Sequence, residues 1–357
     1  MPSKTRVAVA MSGGVDSSVA AFLLKARGFD VFGLMLRLWS EPGREDSNRC
    51  CQPEAVGLAR RAAGILDIPF HVLDAKAAFR ATVVQKFLVG YGLGETPNPC
   101  IECNRRIRWE FLFDHARAMG AEFMATGHYA RVRSEGSGPV QLLRAVDRAK
   151  DQSYVLYTLD QAKLRRALFP IGEYTKGQVR EIAQNQGLPS AARQDSQDLC
   201  FLAGDDYRSF LRRHRPEIFA EGEIVDARGE VLGRHRGLAD YTIGQRKGLG
   251  ISSSKPLYVL RKEPQYNRLV VGPASKLGQS ELCAAQVHWS AGTPPPRAFR
   301  AQIKTRYTAA PAMGDVLLSG DQDEVRAHFD DPQRDITRGQ AAVFYDDERL
   351  IGGGIIQ

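Results

Sequence analysis

The segment Val7–Ser18, which reads VAVAMSGGVDSS, constrains the fold of this chain more than any other stretch. Its first residues, Val7–Ala10, are small or β-branched and apolar, which predicts a buried strand. Two glycines end that strand, and the polar residues from Asp16 onward stand at helix N-cap positions before an apolar run. Glycines let a ligand approach the backbone closely, and N–H groups at a helix N-terminus attract anions. Because no lysine follows the glycines, this is not the GxxxxGK[ST] phosphate loop; it predicts another anion-binding turn or, as the alternative, an ordinary capped one.

The length and composition of the chain indicate a multidomain protein of a reducing compartment. It has 357 residues, of which 43% are hydrophobic and 25% charged, as in globular rather than disordered proteins. Two or three domains are expected at this length. No apolar run approaches about 18 residues and the N-terminus leads directly into the first strand, so we expect neither a membrane span nor a signal peptide. Six cysteines in such a chain favour a cytoplasmic protein.

The distribution of charge indicates a polyanionic partner. The formal net charge is +8 and the sequence pI is about 9.2. Residues 206–279 carry 14 Lys and Arg against 8 Asp and Glu, a net +6, whereas residues 280–357 carry 8 against 11, a net −3. A basic segment of this kind favours nucleic-acid binding more than a basic pI alone does.

Strands and helices alternate through the first part of the chain. The apolar segments Val31–Leu36, Phe70–Leu73 and Phe123–Thr126 predict further strands. The segments Phe79–Tyr91 and Arg106–Met119 predict helices between them. Strands that alternate with helices of this length form βαβ units, so the pattern predicts an α/β domain with a parallel sheet. Ligands of such sheets bind at the carboxyl ends of the strands, where the glycine turn would lie.

Turn residues divide the remaining segments. Thr96–Arg105, with two prolines and two asparagines, predicts a rigid loop rather than regular structure. Lys176–Asn185 predicts a helix that ends before Gly187. Beyond residue 205 the pattern changes to short strands, with a hairpin over Glu223–Leu232 and a small barrel or sandwich at the C-terminus.

The strand predicted from residue 299 to residue 307 has two different faces. Alternate residues from Phe299 to Tyr307 are small or apolar, and those between them include Arg300, Lys304 and Arg306. Three cations on one face indicate either a surface that binds successive phosphate groups of a nucleic acid or an ordinary solvated face.

Six motifs follow one another along the chain: SGGVDSS, TPNPCIECN, ATGHYARV, KDQSYVLY, DSQDLCF and YTIGQRKGLG. In this order they make the chain resemble the bacterial tRNA-specific 2-thiouridylases, which are PP-loop ATP pyrophosphatases. The resemblance implies an α/β fold, with a PP-loop parallel sheet and flanking helices followed by a small central domain and a C-terminal β-barrel. It implies an adenylating PP-loop domain over residues 1–205, a basic tRNA-binding domain over 206–279 and the barrel over 280–357.

The resemblance also implies roles for individual residues. Cys103 matches the family's nucleophile, and Cys200 matches the cysteine that carries a persulfide. The positions that match the ATP site are Ala10, Met11, Ser12, Gly13, Gly14, Val15, Asp16, Ser17, Leu36 and Gly127. The positions that match tRNA contacts, the first three against the target base, are Asn98, Pro99, Cys100, His128, Lys150, Asp151, Gln152, Arg306, Tyr307 and Gln340.

The implied reaction replaces the C2 oxygen of the wobble uridine with sulfur. ATP, with Mg²⁺, would adenylate that oxygen and release pyrophosphate, so that the poor leaving group departs as AMP. Two cysteines suit the second step, because one can hold the terminal sulfur while the other attacks the S–S bond to release it. We expect the enzyme to be a monomer. Its expected partners are a tRNA with a wobble uridine and a persulfide donor, either a cysteine desulfurase or a relay protein.

The neighbours of the two cysteines suggest different roles for them. Arg105 and Arg106 follow Cys103 closely and would stabilise its thiolate. The acidic residues of the DSQDL motif precede Cys200 and suit a sulfur carrier better than an attacking thiol. We therefore expect Cys103 to attack and Cys200 to carry the sulfur.

Two alternatives concern the cysteines, and two concern the whole chain. Cys100, Cys103 and Cys200 would supply three thiolates to an iron–sulfur cluster, and Cys50–Cys51 would add ligands to a zinc site. We favour the persulfide relay over both metal sites. For the whole chain, the alternatives are another adenylating PP-loop ligase that acts on a small molecule and a non-catalytic RNA-binding protein.

Overall fold

The computed structural model describes residues 4–44, 53–191, 193, 199–202, 204–320, 323–334 and 336–357. In these ranges the chain forms a parallel sheet with flanking helices, a small middle domain and a C-terminal antiparallel barrel. The predicted fold class is confirmed. None of the helices in the described ranges combines the length and apolar character that a membrane crossing needs.

The first domain is built on a parallel sheet. The strands described there are β1 (Arg6–Ala10), β2 (Asp30–Arg37), β3 (Phe70–Asp74), β4 (Phe123–Thr126), β5 (Ala130–Arg133), β6 (Gln141–Arg144) and β7 (Ala167–Leu168). Five of them form the sheet in the order β3–β2–β1–β4–β7. The central strand is buried on both faces, because Val7 and Val9 pack into one apolar cluster and Ala8 into another. The order places the turn after β1 beside the end of β4, where ligands of such sheets bind.

Helices cover this sheet and lead into the middle domain. Their bounds are α1 (Val15–Ala26), α2 (Pro53–Ile65), α3 (the consecutive segments Lys76–Phe79, Arg80–Val84 and Gln85–Gly92), α4 (the consecutive segments Pro99–Glu102, Cys103–Leu112 and Phe113–Ala118), α5 (Gln161–Leu164), α6 (Lys176–Asn185) and α7 (Tyr207–His214). The helix predicted over Phe79–Tyr91 lies within α3. The helix predicted over Lys176–Asn185 is confirmed with these bounds, and Gly187 follows it with a φ of +60°.

The loop predicted over Thr96–Arg105 is wrong beyond Asn98. Helix α4 begins at Pro99, and the Asn98 side chain caps it by accepting a hydrogen bond from Cys100 N at 3.0 Å. Proline is favourable in a first helical turn, because the N–H that it lacks would have no intrahelical partner. Cys100 and Cys103 therefore lie at the start of a helix rather than in a loop.

The middle domain contains a four-stranded sheet. Its strands are β8 (Gly222–Val225), β9 (Val231–His235), β10 (Tyr258–Glu263) and β11 (Arg268–Gly272). They lie in the order β10–β11–β8–β9, and the predicted hairpin is confirmed as the antiparallel pair β8–β9. Apolar residues such as Ile224, Val259 and Leu269 form a separate core for this domain.

Six antiparallel strands close the C-terminal domain into a barrel. They are β12 (Gln279–Trp289), β13 (Ala298–Lys304), β14 (Ala312–Leu318), β15 (Glu324–Gln333), β16 (Ala341–Asp346) and β17 (Arg349–Ile356). Their order is β12–β15–β14–β13–β16–β17, and β17 pairs back with β12 to close the barrel. Alternation along β13 is as predicted, with Ala301 and Ile303 buried, whereas Tyr307 lies beyond the strand and is 37% exposed, so that most of its side chain is covered.

A hairpin of the first domain holds the barrel in place. Strands β5 and β6 pair with each other, and β6 meets β17 where Leu143 lies opposite Arg349. Arg131 Nη2 and Arg148 Nη2 lie 2.8 Å and 2.6 Å from the two carboxylate oxygens of Glu348. These contacts set the position of the barrel loops relative to the first domain.

Candidate active site

The turn between β1 and α1 has a shape that requires glycine at residue 13. The φ of Gly13 is +73°, and a Cβ there would lie 2.4 Å from the carbonyl oxygen of Ala55 in α2. Helix α1 begins at Val15 with Gly14 as its N-cap, so Asp16 lies inside the first helical turn and does not cap it. The backbone N–H groups of that first turn have no intrahelical partner and face the carboxyl edge of the sheet.

Hydroxyl groups hold this turn in place. Ser17 Oγ donates to the Gly14 carbonyl oxygen at 3.1 Å and accepts a hydrogen bond from Ser12 N at 3.2 Å. Met11 and Val15 are buried. Any contact of Met11 and Val15 with a nucleotide would therefore be made by their backbone atoms. The Ser12 side chain, by contrast, is exposed.

The neighbouring strands end around the turn. A Cβ at Gly127, directly after β4, would lie 2.7 Å from Ser17 N, so glycine is needed there for the strand end to reach α1. Ala10 is the last residue of β1, and the half-buried Leu36 lies near the end of β2. The structure thus brings Ala10, Leu36 and Gly127 together at the ends of three adjacent strands.

Side chains that are distant in sequence surround Asp16. Lys176 Nζ, at the start of α6, lies 2.8 Å and 2.9 Å from the two carboxylate oxygens of Asp16. Tyr129 Oη donates to Asp16 Oδ1 at 2.9 Å. Arg193 Nη1 donates to the Gly13 carbonyl oxygen at 3.1 Å. Two cations therefore lie beside a turn that carries no lysine of its own.

The two candidate catalytic cysteines converge on one apolar cluster. Cys103 is 9% exposed and belongs to a cluster that includes Phe79 and Phe201. Cys200 is half-buried and packs against the same cluster. Cys100, three residues before Cys103, is exposed. The fold therefore places two cysteines that are far apart in the sequence on the same apolar cluster.

The alternative metal sites find no support among the residues that the structure describes. These residues include no group of three or more His, Cys, Asp or Glu side chains arranged to hold a metal ion. Cys100, Cys103 and Cys200 therefore do not form the ligand set that an iron–sulfur cluster needs. Cys50–Cys51 and the acidic residues of the DSQDL motif lie outside the described residues.

Arg106 has carboxylate partners of its own. Its Nη1 lies 3.0 Å from Glu110 Oε2, and its Nε lies 3.5 Å from Glu102 Oε1. These pairs lie along the surface of α4 and compensate the guanidinium charge. These carboxylates share the guanidinium charge of Arg106, and the stabilisation of a Cys103 thiolate by Arg105 and Arg106 stays a prediction.

The loop before α4 is attached to the barrel. Thr96 N donates to the Arg338 carbonyl oxygen at 2.9 Å, and Gln340 Nε2 donates to the Thr96 carbonyl oxygen at 2.7 Å. Pro99 is buried behind this loop, and Asn98 is half-buried at the start of α4. Gln340 therefore lies next to the residues that the resemblance places against the target base.

Tyr307 and Lys304 meet at this junction between the first domain and the barrel. Lys304 Nζ lies 5.6 Å from the ring centre of Tyr307 and 5.9 Å from that of Tyr154. Burial raises the pKa of Tyr307, and the charges of Asp151 and Cys100 raise it further. Burial also lowers the pKa of Lys304. The exposed Cys100 and the aromatic ring of Tyr307 therefore belong to one surface.

Two of the candidate tRNA residues are buried. His128 is 6% exposed, and burial holds its pKa well below the ordinary value of 6.5. Asp151 is also 6% exposed and accepts hydrogen bonds from Ser153 N at 3.2 Å and Ser153 Oγ at 2.9 Å. Their neighbours Lys150 and Gln152 are partly exposed. A direct contact with tRNA therefore suits Lys150 and Gln152 better than His128 and Asp151.

The three cations predicted on one face of β13 have different surroundings. Arg300 Nη1 and Nη2 each lie 2.7 Å from a carboxylate oxygen of Asp330 on β15. Arg306 donates to Thr337 Oγ1, next to the loop that carries Gln340. Arg300 thus belongs to a solvated ion pair, and Arg306 belongs to the junction.

Comparison with protein families decides the relationship of this chain to known proteins. Residues 5–204 match the family described as tRNA methyl transferase HUP domain, residues 208–273 the tRNA methyl transferase PRC-barrel domain, and residues 279–356 the Aminomethyltransferase beta-barrel domain. The tRNA-specific 2-thiouridylase MnmA of Chloroflexus aggregans is 48% identical over 98% of both chains. The tRNA-specific 2-thiouridylase MnmA of Magnetococcus marinus is 45% identical over 100% of both chains. This chain belongs to the tRNA-specific 2-thiouridylase family.

The family predicted from the six motifs is thereby confirmed, and with it the order of an α/β domain, a small middle domain and a barrel. Some solved structures that match this chain are more distant in sequence. A 4-thiouridine synthetase–RNA complex with bound ATP is 15% identical, with the match covering 60% of this chain and 51% of that chain at a TM-score of 0.36.

Three residues that contact the turn between β1 and α1, the candidate nucleotide turn, were not predicted. Tyr129 follows His128 in the ATGHYARV motif, so its position in a motif was the available signal. Lys176 begins a predicted helix and Arg193 follows a turn, and neither stands in a pattern that indicates a nucleotide site. Their contacts with the turn depend on the tertiary fold.

Proposed function

We propose that this chain catalyses the 2-thiolation of tRNA. ATP adenylates the C2 oxygen of the wobble uridine, and sulfur from an enzyme persulfide replaces that oxygen with release of AMP. The assignment as an ATP-using tRNA sulfurtransferase follows from membership of the 2-thiouridylase family, which disfavours a small-molecule ligase. The observation that supports the mechanism is that one domain holds both a glycine turn at a helix N-terminus, which suits anion binding, and two cysteines that share an apolar cluster.

The nucleotide would bind at the carboxyl edge of the parallel sheet. Its phosphates would lie on the turn Ala10–Ser17, with Leu36 and Gly127 also against the nucleotide. Backbone N–H groups at the N-terminus of α1 favour that arrangement. Lys176 and Arg193 add positive charge beside the turn, which suits the charge that develops on a pyrophosphate leaving group.

Asp16 is the residue that would hold Mg²⁺. Its two carboxylate oxygens are the hard ligands that Mg²⁺ prefers, and this ion is usually bound by one or two carboxylates together with substrate phosphates. A bound Mg²⁺ would neutralise charge on the phosphates during adenylation. Tyr129 and Lys176 orient the Asp16 carboxylate beside the turn.

Sulfur would be transferred between Cys200 and Cys103. A persulfide donor loads Cys200, which then carries a terminal sulfur. The Cys103 thiolate attacks the inner sulfur of Cys200, so that a Cys103–Cys200 disulfide forms and the terminal sulfur leaves as hydrosulfide. Hydrosulfide attacks C2 of the adenylated uridine and expels AMP, and a thiol reductant restores the two cysteines. The shared apolar cluster supports this relay because it holds both cysteines in one part of the fold.

The tRNA would lie across the junction of the first domain and the barrel. We assign adenylation to residues 1–205, tRNA binding to the basic residues 206–279 and further tRNA contacts to the barrel at 280–357. The exposed Arg246 and Lys247 support the second assignment. The residues proposed to contact tRNA directly at the junction are Asn98, Cys100, Lys150, Gln152, Arg306, Tyr307 and Gln340. The buried Pro99, His128 and Asp151 would support these contacts indirectly.

Separation of the nucleotide products tests the proposal. With ATP, Mg²⁺ and tRNA we expect AMP and pyrophosphate, and neither product when tRNA is omitted. Asp16→Ala should abolish their formation, whereas Asp30→Ala, which removes an exposed carboxylate near Arg6, is the matched control and should retain it. ADP and orthophosphate as the products would overturn the adenylation step.

A further inference from the structure

We propose that Tyr129 is a positioning residue that links the tRNA-binding segment Lys150–Gln152 to Asp16 of the nucleotide turn. The inference rests on the proposed function and deepens it, because it explains how a bound tRNA promotes adenylation at a site formed by other residues. Tyr129 is suited to this role because its side chain contacts one site and its backbone contacts the other.

The side chain of Tyr129 reaches the nucleotide turn. Its Oη donates to Asp16 Oδ1 at 2.9 Å, and Lys176 Nζ lies 5.8 Å from the centre of its ring. The residue is 2% exposed and packs in the apolar cluster beneath α1. Because the ring is enclosed, the position of the hydroxyl group follows the position of the Tyr129 backbone.

The backbone of Tyr129 is bonded on both sides to Gln152. Tyr129 N donates to Gln152 Oε1 at 3.0 Å, and Gln152 N donates to the Tyr129 carbonyl oxygen at 2.8 Å. The adjacent Asp151 accepts a hydrogen bond from Ala145 N at 3.0 Å, which fixes the segment to β6. Lys150 is partly exposed, and its positive charge would attract a phosphate group of the tRNA. A tRNA that displaces or restrains this segment would therefore act on the Tyr129 backbone as well.

The connection has a direct consequence for Asp16. Lys176 holds both of its oxygens, and Tyr129 holds one of them. The hydroxyl hydrogen bond therefore helps to fix the orientation of the carboxylate that would hold Mg²⁺ beside the phosphates. An indirect role of this kind also accounts for the burial of His128 and Asp151 on either side of the link.

Tyr129→Phe tests the link at its side chain, because it retains the ring and removes only the hydroxyl group. For tRNA-dependent AMP formation we expect kcat to fall about tenfold to a hundredfold, the factor that loss of a hydrogen bond to a charged group produces. The KM for ATP and the Kd for tRNA should stay at wild-type values. Tyr174→Phe, which removes a hydroxyl group from a tyrosine packed on the same cluster, is the matched control and should leave kcat unchanged.

Gln152→Ala tests the link at the backbone through a double-mutant cycle. If Gln152 acts through Tyr129, its substitution lowers kcat in the wild-type chain and has little further effect in Tyr129→Phe. The inference would be overturned if the kcat of Tyr129→Phe equalled that of the wild-type chain. It would also be overturned if the double variant lost kcat by the product of the two single-variant factors, because the two residues would then act independently. A lower affinity for ATP with unchanged kcat would also overturn it, since Tyr129 would then only support the nucleotide site. Thiolation of tRNA by the wild-type chain is measured in parallel. If the proposed function fails, the wild-type chain shows neither tRNA-dependent AMP formation nor tRNA thiolation, whereas a failure of this inference alone leaves both activities intact.

Discussion

Replacing Gly13 by alanine tests whether the nucleotide turn is confined in the way its geometry indicates. A left-handed φ costs about 1–2 kcal/mol for a residue with a Cβ, and forcing an atom into a packed site costs about 1–3 kcal/mol. Gly13→Ala incurs both costs, because φ is +73° and the new Cβ would lie 2.4 Å from a backbone oxygen of α2. Gly28→Ala incurs the first cost alone, because φ is +87° and nothing lies within 4 Å of the new Cβ. The difference between the variants isolates the contact with α2.

Urea unfolding and calorimetric titration with ATP measure the two consequences. Gly28→Ala should lower the free energy of unfolding by about 1–2 kcal/mol and should bind ATP like the wild-type chain. Gly13→Ala should either lower the free energy of unfolding by about 2–5 kcal/mol in total or relieve the clash by moving the turn. In both cases the variant should no longer bind ATP. Equal losses of unfolding free energy, with wild-type ATP binding in both variants, would refute the reasoning.

Three further predictions address the tRNA surface, the cysteines and a buried histidine. Arg306→Ala should weaken tRNA binding and reduce the slope of log K against log salt by about one unit. Arg300→Ala should leave that slope unchanged, because the Arg300 guanidinium is already paired with Asp330. Equal slopes for the two variants would contradict this prediction. Cys200→Ser should block loading of radiolabelled sulfur and Cys103→Ser should load sulfur without transferring it, so loading by Cys200→Ser would reverse the roles. Because burial lowers the pKa of His128, the unfolded state binds more protons there as the pH falls below about 6.5, and the free energy of unfolding should decrease. His128→Gln should reduce that dependence in pH-dependent urea unfolding, and an unaltered dependence would show that His128 does not cause it.

The glycine turn and the sheet around it were predictable because local sequence determines them. Val7–Ala10 is apolar throughout, as a strand covered on both faces requires, and the turn after it needs glycine. Helix Lys176–Asn185 was predictable for a similar reason, since Thr175 and Gln178 form a capping box and Gly187 follows the end of the helix. Such signals lie within a few residues of the structure that they determine.

Contacts between distant segments were not predictable in the same way. Nothing near Asp16 in the sequence indicates that Lys176 binds its carboxylate, because the contact depends on how α6 packs beside α1. The pairing of Arg300 with Asp330 depends likewise on the register of the barrel. Pro99 was misread for a different reason: proline ends a helix when it lies inside one but favours a helix that starts with it.

Mass spectrometry of tRNA nucleosides tests the central claim most directly. The protein is incubated with tRNA, ATP, Mg²⁺ and a persulfide donor, and the tRNA is then digested and analysed. We expect 2-thiouridine at the wobble position, and none when ATP is omitted or when Cys103→Ser replaces the wild-type protein. An unmodified wobble uridine in a reaction that releases AMP, or sulfur at another position of the tRNA, would contradict the assignment.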